Sequence, residues 1–216
     1  MFSLFPKHFF ITGTDTEVGK SIVSAILTLG LKAAYWKPIQ SGLETETDTQ
    51  LVQRLTKLPK HHFFPESYRL HSPLSPHAAA KIDNTSIMID HLTLPNSHAF
   101  SHLIVEGCGG VMVPLNEKGE FIADLIARWK MPTLVVSRST LGTINHTLLT
   151  LKQLREFNIP IIGVILNGPK NPLNRDAIEK FGNVRVVGEI DFQTKLCPKT
   201  LKNLFSQIIT QEGSPL

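Results

Sequence analysis

Residues 13–21 read Gly-Thr-Asp-Thr-Glu-Val-Gly-Lys-Ser, and they stand between an apolar run at 9–11 and a helical apolar pattern at 22–29. The first run predicts a strand and the second predicts one face of a helix. A glycine-bearing loop between strand and helix that ends Gly-Lys-Ser is typical of loops that wrap the phosphates of a nucleotide. Its amide groups attract anions, Lys20 adds a positive charge, and Ser21 offers a hydroxyl to a magnesium ion.

The two glycines of this loop, Gly13 and Gly19, are separated by five residues, whereas the common phosphate-binding loop has four between them. The longer spacing points to a narrower group of such loops. An ordinary glycine turn that caps a helix is the alternative, and the coincidence of strand, loop, Gly-Lys-Ser and helix disfavours it.

The composition is that of a globular protein, with 42% hydrophobic and 19% charged residues. We expect residues 1–216 to form a single P-loop-type α/β domain. The net charge of +4 is spread along the chain, so it favours anionic small molecules over nucleic acid, which would need a basic stripe. Cys108 and Cys197 are too few for a disulfide framework or a metal cluster.

The N-terminal sequence predicts a protein that is not exported. Pro6, Lys7 and His8 interrupt its apolar stretch, and no small-residue cleavage site follows. No apolar run approaches the length that crosses a membrane. We therefore expect a cytoplasmic location and no membrane partner.

Strand-like and helix-like segments alternate along the chain. Strands are predicted at 8–12, 33–36, 102–105, 133–136, 161–166 and 184–187, and helices at 20–31, 48–56, 86–92, 123–129, 144–157, 175–181 and 199–209. Several strands are continuous apolar runs, so the pattern predicts a doubly wound, mainly parallel sheet with helices on both faces, of the P-loop NTPase type. Such a fold binds ligands at the carboxyl ends of its strands. Residues 57–76 predict a long loop near that edge, and residues 212–216 a frayed tail.

Polar residues follow the second predicted strand. Lys37 opens Lys-Pro-Ile-Gln-Ser-Gly at 37–42, where it could neutralise negative charge developing on a phosphoryl or carboxyl group, or could simply be a surface lysine. The acidic run that follows is either a solvated helix start or the source of a metal ligand. Spacing alone does not choose among Glu44, Glu46 and Asp48.

A carboxylate followed by glycines ends the third predicted strand, where residues 105–110 read Val-Glu-Gly-Cys-Gly-Gly. Glu106 could reach a magnesium ion on the neighbouring loop, and the glycines would let a ligand approach the backbone closely. The alternatives are a tight turn with an exposed glutamate and, for Cys108, a small buried filler rather than a reactive thiol.

Three further segments carry polar groups near predicted strand or helix ends. Residues 141–147 open a helix whose free amides could bind a substrate carboxylate, although N-capping by Thr143 explains the pattern as well. Asn167 could bond a base edge, or could end its strand in a turn with Gly168. Ser-Pro-His at 75–77 could reach a ligand, although a turn is the usual interpretation.

Together these segments resemble the dethiobiotin synthetases, the ATP-dependent carboxylases of biotin synthesis. The matching segments follow the order of that family, and they are 13–21, 37–42, 75–77, 105–110, 113–115, 141–147 and 188–190. The five-residue gap in the phosphate loop is the family's own. The resemblance implies that 7,8-diaminononanoate, CO2 and ATP give dethiobiotin through a carbamate and a carbamic-phosphoric anhydride.

The resemblance also implies a role for each matching residue. Catalysis would fall to Lys37, Lys20 and Thr16, and Mg2+ would be bound by Ser21, Asp48 and Glu106. The residues that would bind ATP are Glu17, Val18, Gly19, Lys20, Ser21, Ile22, Asp48, Glu106, Gly107, Cys108, Gly109, Asn167, Gly168, Ile190, Asp191 and Phe192. The diamine would contact Thr16 and Ser41. The family is a homodimer, in which the substrate carboxylate would lie at the start of a partner helix formed by Gly142, Thr143 and Asn145.

Three residues depart from the family pattern. Cys108 replaces a frequent alanine and should be tolerated as a small residue. Asp191 replaces a frequent proline, which predicts a change in the adenine-side loop. Trp36 is bulkier than expected beside Lys37 and predicts a repacked substrate side.

Other protein classes share the phosphate loop. Cobyrinate-type amide synthases usually append a glutaminase domain with a nucleophilic cysteine, for which we expect no room in 216 residues. Switch proteins of the chromosome-partition or septum-positioning type carry an additional lysine near the loop start, where residues 13–16 have none, and no amphipathic membrane tail is evident after Lys199. A catalytically silent homologue is the third alternative, which intact Lys20, Lys37, Asp48 and Glu106 argue against.

Overall fold

A computed structural model describes residues 5–210 of the chain, and the predicted fraying of 212–216 lies outside this range. The strands are β1 His8–Gly13, β2 Ala34–Trp36, β3 Ile39–Ser41, β4 Phe63–Phe64, β5 Tyr68–Leu70, β6 Leu103–Gly110, β7 Thr133–Arg138, β8 Ile161–Asn167 and β9 Val186–Ile190. The helices are α1 Lys20–Leu31, α2 Asp48–Thr56, α3 Pro76–Ile82, α4 Ile122–Trp129, α5 Thr143–Glu156, α6 Pro172–Gly182 and α7 Pro198–Thr210. None of the helices described is long and apolar enough to cross a lipid bilayer.

The main sheet is parallel throughout, with strand order β4-β2-β6-β1-β7-β8-β9. Strand β1 lies in the middle, β2 and β6 lie on one side of it, and β7 lies on the other. The chain therefore changes direction across the sheet at β1, which opens a crevice at the carboxyl ends of the central strands. The phosphate loop leaves β1 at this point, and the predicted doubly wound fold is confirmed.

Alternate residues of the central strands feed two separate cores, as a two-faced sheet requires. Phe9 and Ile11 of β1 pack in the core beneath α1, α2 and α7, whereas Phe10 packs in the core beneath α4, α5 and α6. All three side chains are fully buried. The helices on both faces thus hold β1 rigidly behind the loop that it carries.

Helices α1 and α2 begin at the residues that the sequence predicts. Helix α1 follows Gly19, whose φ of 97° turns the chain from the loop into the helix. Helix α2 starts at Asp48 because Thr47 and Gln50 form a capping box, in which each side chain accepts a hydrogen bond from the other's backbone amide. This cap fixes the position of the Asp48 carboxylate at the edge of the crevice.

The predicted helix at 86–92 is wrong, because only Ile89–His91 form a short 3-10 turn there. The backbone groups just before this turn bond to side chains from elsewhere in the fold. The carbonyl of Ile87 accepts from Asn116 Nδ2 at 2.8 Å, and the amide of Met88 donates to the Tyr68 hydroxyl at 3.0 Å. These long-range bonds replace the local bonds of a helix.

The region after β2 has more regular structure than the sequence predicts. The predicted loop at 57–76 contains β4 and β5, and β5 pairs with β3 to form a small second parallel sheet. Residues 75–77, interpreted as a turn, instead start α3, with Pro76 at its first position. The strand predicted to end near Glu106 continues to Gly110, with an irregular register against β1 between Ile11 and Gly13.

Candidate active site

A cavity of about 580 Å³ opens at the carboxyl ends of β1, β2 and β6. The phosphate loop, the segment after β2, residues 73–76 and the end of β6 line its walls. The predicted site residues in this lining are Thr16, Glu17, Gly19, Lys20, Ser21, Ile22, Lys37, Ser41, Asp48, Glu106, Cys108 and Gly109. Segments that are far apart in the sequence therefore meet around one space.

The phosphate loop is held in its curved form by contacts at both of its ends. Lys20 is buried, and its ammonium donates to the Asp15 carbonyl at 3.1 Å across the loop. The carbonyl of buried Val18 accepts from Asn167 Nδ2 at 3.0 Å. Gly19 has a positive φ, and a Cβ placed there would come within 2.1 Å of the same Asn167 nitrogen, so a side chain here would strain the backbone and displace the Asn167 amide.

Ser21 lies between two carboxylates. Its hydroxyl oxygen is 2.6 Å from Asp48 Oδ1 and 2.8 Å from Glu106 Oε1. A hydroxyl has one proton, so Ser21 can donate to only one of the two carboxylates at a time. The other carboxylate oxygen then faces the serine oxygen with no hydrogen between them. A cation at this point would satisfy all three oxygens at once.

The donor set suits Mg2+ in particular. Within residues 5–210, no group of three or more His, Cys, Asp or Glu side chains is placed to hold a metal by itself. Magnesium usually takes one or two carboxylates and completes its coordination with water and substrate phosphates. Ser21, Asp48 and Glu106 could therefore hold Mg2+ beside the phosphate loop.

Lys37 lies at the back of this oxygen cluster and is almost fully buried. Its ammonium is 2.6 Å from Asp48 Oδ2 and 3.4 Å from Glu106 Oε1, and it donates to the Gly107 carbonyl at 3.0 Å. Burial alone would lower the pKa of Lys37, but the carboxylates of Glu106 and Asp48 outweigh it and hold that pKa well above its ordinary value. The lysine is a fixed positive charge at the floor of the cavity.

Lys37 also shifts the pKa values of Lys20 and Asp48. Burial lowers the pKa of Lys20, and the ammonium of Lys37 lowers it further. For Asp48, burial would raise the pKa, but Lys37 outweighs it and the net shift is downward. Two ammonium groups and two carboxylates thus share a space that is mostly removed from water, where electrostatic interactions are strong.

Comparison with known proteins gives the family of the chain. A family model described as an AAA domain matches residues 7–200. The ATP-dependent dethiobiotin synthetase BioD of Paramagnetospirillum magneticum is 47% identical over 206 residues, which cover 95% of this chain and 98% of that protein. The protein of the same name from Brucella ovis is 42% identical over 201 residues, which cover 93% of both chains.

The chain belongs to the dethiobiotin synthetase family. The resemblance inferred from the sequence motifs is thereby confirmed. Among solved structures, a ParA family ATPase from Chlorobium tepidum superimposes with a TM-score of 0.53 at 16% identity, covering 97% of this chain and 95% of that one. A chain of the MinC:MinD cell division protein complex of Aquifex aeolicus gives 0.56 at 15% identity, with 97% of this chain and 98% of that one covered. These two likenesses show a shared fold, whereas the sequence relatives are dethiobiotin synthetases.

The predicted adenine-side residues of this family member lie outside the cavity lining. Asn167 ends β8 and Gly168 follows it, and Ile190 ends the neighbouring strand β9. The Gly168 amide donates to the Ile190 carbonyl at 2.8 Å, which joins the two strand ends. Asp191 and Phe192 follow in an exposed segment, where Asp191 Oδ1 accepts from the Phe192 amide.

The start of α5 also lies away from this cavity. N-capping by Thr143 is wrong, because the cap residue is Gly142, with a φ of 94°, and no side chain caps the helix. The Thr143 hydroxyl instead lies 2.7 Å from Ser137 Oγ in a buried cluster and donates to the Arg138 carbonyl. Asn145 is exposed on the first turn, so its side chain is open to a partner from outside the chain.

Two of the departures from the family pattern have simple structural accounts. Trp36 points away from the cavity, donates to the Pro65 carbonyl at 3.0 Å and packs against Trp129, so it does not line the substrate side. Burial raises the pKa of the Cys108 thiol, although Lys37 and Lys20 oppose the shift, which favours the filler interpretation over a reactive thiol.

Three further residues, which the sequence does not mark as functional, contact the groups of the site. Gln40 accepts from the Asp48 amide at 3.1 Å, and Tyr35 donates to Glu106 Oε2 at 3.0 Å. Arg138 clamps the loop, since its guanidinium is 3.2 Å from Asp15 Oδ2 and donates to the Thr16 carbonyl at 2.9 Å. Gln40 stands within the motif at 37–42, whereas Tyr35 looks like an ordinary apolar strand residue and carries no sequence signal.

Proposed function

We propose that this chain catalyses the ATP- and Mg2+-dependent carboxylation and ring closure of 7,8-diaminononanoate with CO2 to dethiobiotin. Membership of the family supports the overall reaction. The observation that carries the proposal within this chain is the position of Lys37, a buried ammonium that faces the same cavity as the phosphate loop. A cytoplasmic location, where ATP is available, goes with this proposal.

The reaction has three steps, and in each of them defined bonds form or break. An amine of the diamine adds to CO2 and loses a proton, which gives a carbamate. A carbamate oxygen then attacks the γ-phosphorus of ATP and expels ADP. The second amine attacks the carbon of the mixed anhydride, the C–O bond to phosphate breaks, and the ring closes with loss of a proton and release of phosphate.

Two of the groups needed are positive charges at fixed points, because carbamate and phosphoryl groups are both anionic. Lys20, at the start of α1, would hold the β- and γ-phosphates. Lys37 would stabilise the carbamate and the phosphoryl group in transfer. Both are held by the protein before substrate arrives, so little reorganisation is needed at the moment of reaction.

Magnesium would bind to Ser21, Asp48 and Glu106. The single proton of the Ser21 hydroxyl cannot satisfy both carboxylates, and a cation would. When bound there it would neutralise phosphate charge. It would also add positive charge to the cluster of Lys20, Lys37, Asp48 and Glu106, in which two ammonium groups and two carboxylates otherwise balance. Thr16 and Ser41, which both line the cavity, would contact the diamine.

The base of ATP would extend from the loop toward the ends of β8 and β9. Asn167 is the proposed contact to adenine, with Gly168 and residues 190–192 around it. Phe192 is 82% exposed, which is unusual for a large apolar side chain and leaves its ring free to cover a base. In this structure the Asn167 amide bonds to Val18, so it would have to share or exchange that partner.

A homodimer would complete the substrate site. A second cavity of about 530 Å³ lies between Asp15, residues 110–113 and α5, and Val113 lines both cavities. Met112, Leu141 and Leu149 are large apolar residues left exposed around α5, with Leu141 fully exposed. Such a surface favours association with a second copy. The start of α5, from Gly142 to Asn145, would then receive the substrate carboxylate held mainly by the partner.

The experiment that tests the proposal follows phosphate release and product mass in one reaction. Protein, ATP, Mg2+ and bicarbonate are incubated with and without 7,8-diaminononanoate, and dethiobiotin is detected by mass spectrometry. We expect product only when all components are present. ATP hydrolysis that ignores the diamine but responds to DNA or lipid vesicles would instead favour a partition-type switch protein.

A further inference from the structure

We propose that Tyr35 is a positioning residue, which orients the Glu106 carboxylate so that one of its oxygens faces the metal site. This inference rests on the proposed function of the same cavity. Nothing in the family motifs marks Tyr35, since it lies inside β2, two residues before Lys37. What marks it is its contact with Glu106.

Tyr35 and Glu106 stand on neighbouring strands of the sheet. Tyr35 pairs in register with Ile104 of β6, which lies two residues before Glu106 and on the same face. Both Tyr35 and Glu106 are fully buried. The tyrosine ring packs near Phe63, with centroids 6.2 Å apart, and its complete burial limits the movement of the phenol.

The two oxygens of Glu106 have separate partners. Oε2 accepts from the Tyr35 hydroxyl at 3.0 Å. Oε1 lies 2.8 Å from the Ser21 hydroxyl and 3.4 Å from the Lys37 ammonium, at the place where a cation would fit. The tyrosine thus occupies the oxygen that points into the protein and leaves the other one for the site.

A neutral donor suits this task better than a charged one. Lys37 already supplies a positive charge to Glu106, and a second cation behind the carboxylate would weaken its attraction for metal. A phenol holds the rotation of the carboxylate without neutralising it. Hydrogen-bonding partners of metal ligands commonly change metal affinity by about 10- to 100-fold when they are removed.

The test is the affinity for Mn2+, measured by electron paramagnetic resonance in the presence of a non-hydrolysable ATP analogue. Tyr35→Phe should raise the Kd for Mn2+ by about 10-fold or more, and excess metal should restore much of the lost kcat. The chain has two tyrosines, so Tyr68→Phe is a matched control. Tyr68 also loses one hydrogen bond, from the Met88 amide, but lies outside the cavity lining, and its Kd should match wild type.

An unchanged Kd in folded Tyr35→Phe would overturn the proposal. If that variant does not fold, fluorotyrosine-labelled wild-type protein gives the answer, with the two resonances assigned by Tyr68→Phe. The Tyr35 resonance should then shift when Mg2+ is added to protein already saturated with the analogue, and a resonance that stays in place would also overturn it. Formation of dethiobiotin by the wild type is measured in a separate experiment. Absence of product there would count against the proposed reaction, whereas an unchanged Kd for Mn2+ here would count against the positioning role.

Discussion

The Lys37 ammonium lies 2.6 Å from Asp48 Oδ2, in a pair formed by residues from opposite ends of the segment that links β2 to α2. Each partner depends on the other, because Lys37 lowers the pKa of Asp48 and Asp48 helps to raise that of Lys37. The pair places a permanent positive charge beside a carboxylate that could bind metal. Removal of Lys37 from this pair should therefore separate catalysis from nucleotide binding.

Lys37→Ala should lower kcat by at least about 100-fold while leaving ATP affinity nearly unchanged, because Lys37 acts on the groups in transfer and Lys20 on the phosphates. Product formation and the binding of a fluorescent ATP analogue measure the two effects. Lys118→Ala removes an exposed lysine from a turn and should behave as wild type. Normal turnover in Lys37→Ala would remove Lys37 from the mechanism.

Gly19→Ala should weaken ATP binding and lower the free energy of unfolding, because the new methyl group would collide with Asn167. Gly119→Ala is the matched control, since Gly119 also has a positive φ but no atom lies within 4 Å of its added Cβ. The control should lower the free energy of unfolding by about 1 kcal/mol, the cost of placing a residue with a Cβ in the left-handed conformation. Equal losses in both variants would show that the contact with Asn167 is unimportant.

Asp48→Asn should lower the stability of the protein at neutral pH, and the difference from wild type should shrink in acid. The pKa of Asp48 is lowered from 3.8 in the folded chain, so its ionised form stabilises the fold at pH values above 3.8. That contribution is lost as the pH falls through the lower folded value. Denaturant unfolding of both proteins at pH 7 and in acid measures it, and a pH-independent difference would argue against the ion pair.

Asn145→Ala should raise the KM for 7,8-diaminononanoate more than it lowers kcat, because the proposed role of Asn145 is to bind the substrate carboxylate across the dimer. Steady-state kinetics with the diamine varied gives both constants. Asn203→Ala changes an exposed asparagine on α7 and serves as the control. A pure loss of kcat in Asn145→Ala would contradict carboxylate binding.

The elements that the sequence predicts well are those with local signals. The starts of α1 and α2 follow from Gly19 and from the Thr47–Gln50 capping box, both of which can be seen in a few consecutive residues. By contrast, β3 and β5 have three residues each and exist because they pair with one another. The helix predicted at 86–92 is lost to bonds from side chains distant in sequence. Such long-range partners leave no pattern in the segment itself.

The candidate site likewise combines local and long-range signals. The motif at 13–21 predicts the phosphate loop, whereas spacing alone does not choose a metal ligand among Glu44, Glu46 and Asp48. The structure places Asp48 against Lys37 and Ser21, whereas the Glu46 carboxylate pairs with Arg54 at 2.6 Å. Tyr35 carries no sequence signal, because its hydroxyl acts from inside an apolar strand.

In the proposed mechanism ATP phosphorylates a carbamate oxygen, and the fate of the oxygen atoms of CO2 tests this step most directly. The reaction is started with C18O2 and stopped before the label exchanges with water, and phosphate and dethiobiotin are analysed by mass spectrometry. We predict one 18O atom in the released phosphate and one in the ring carbonyl of dethiobiotin. Unlabelled phosphate alongside labelled product would contradict the carbamate route.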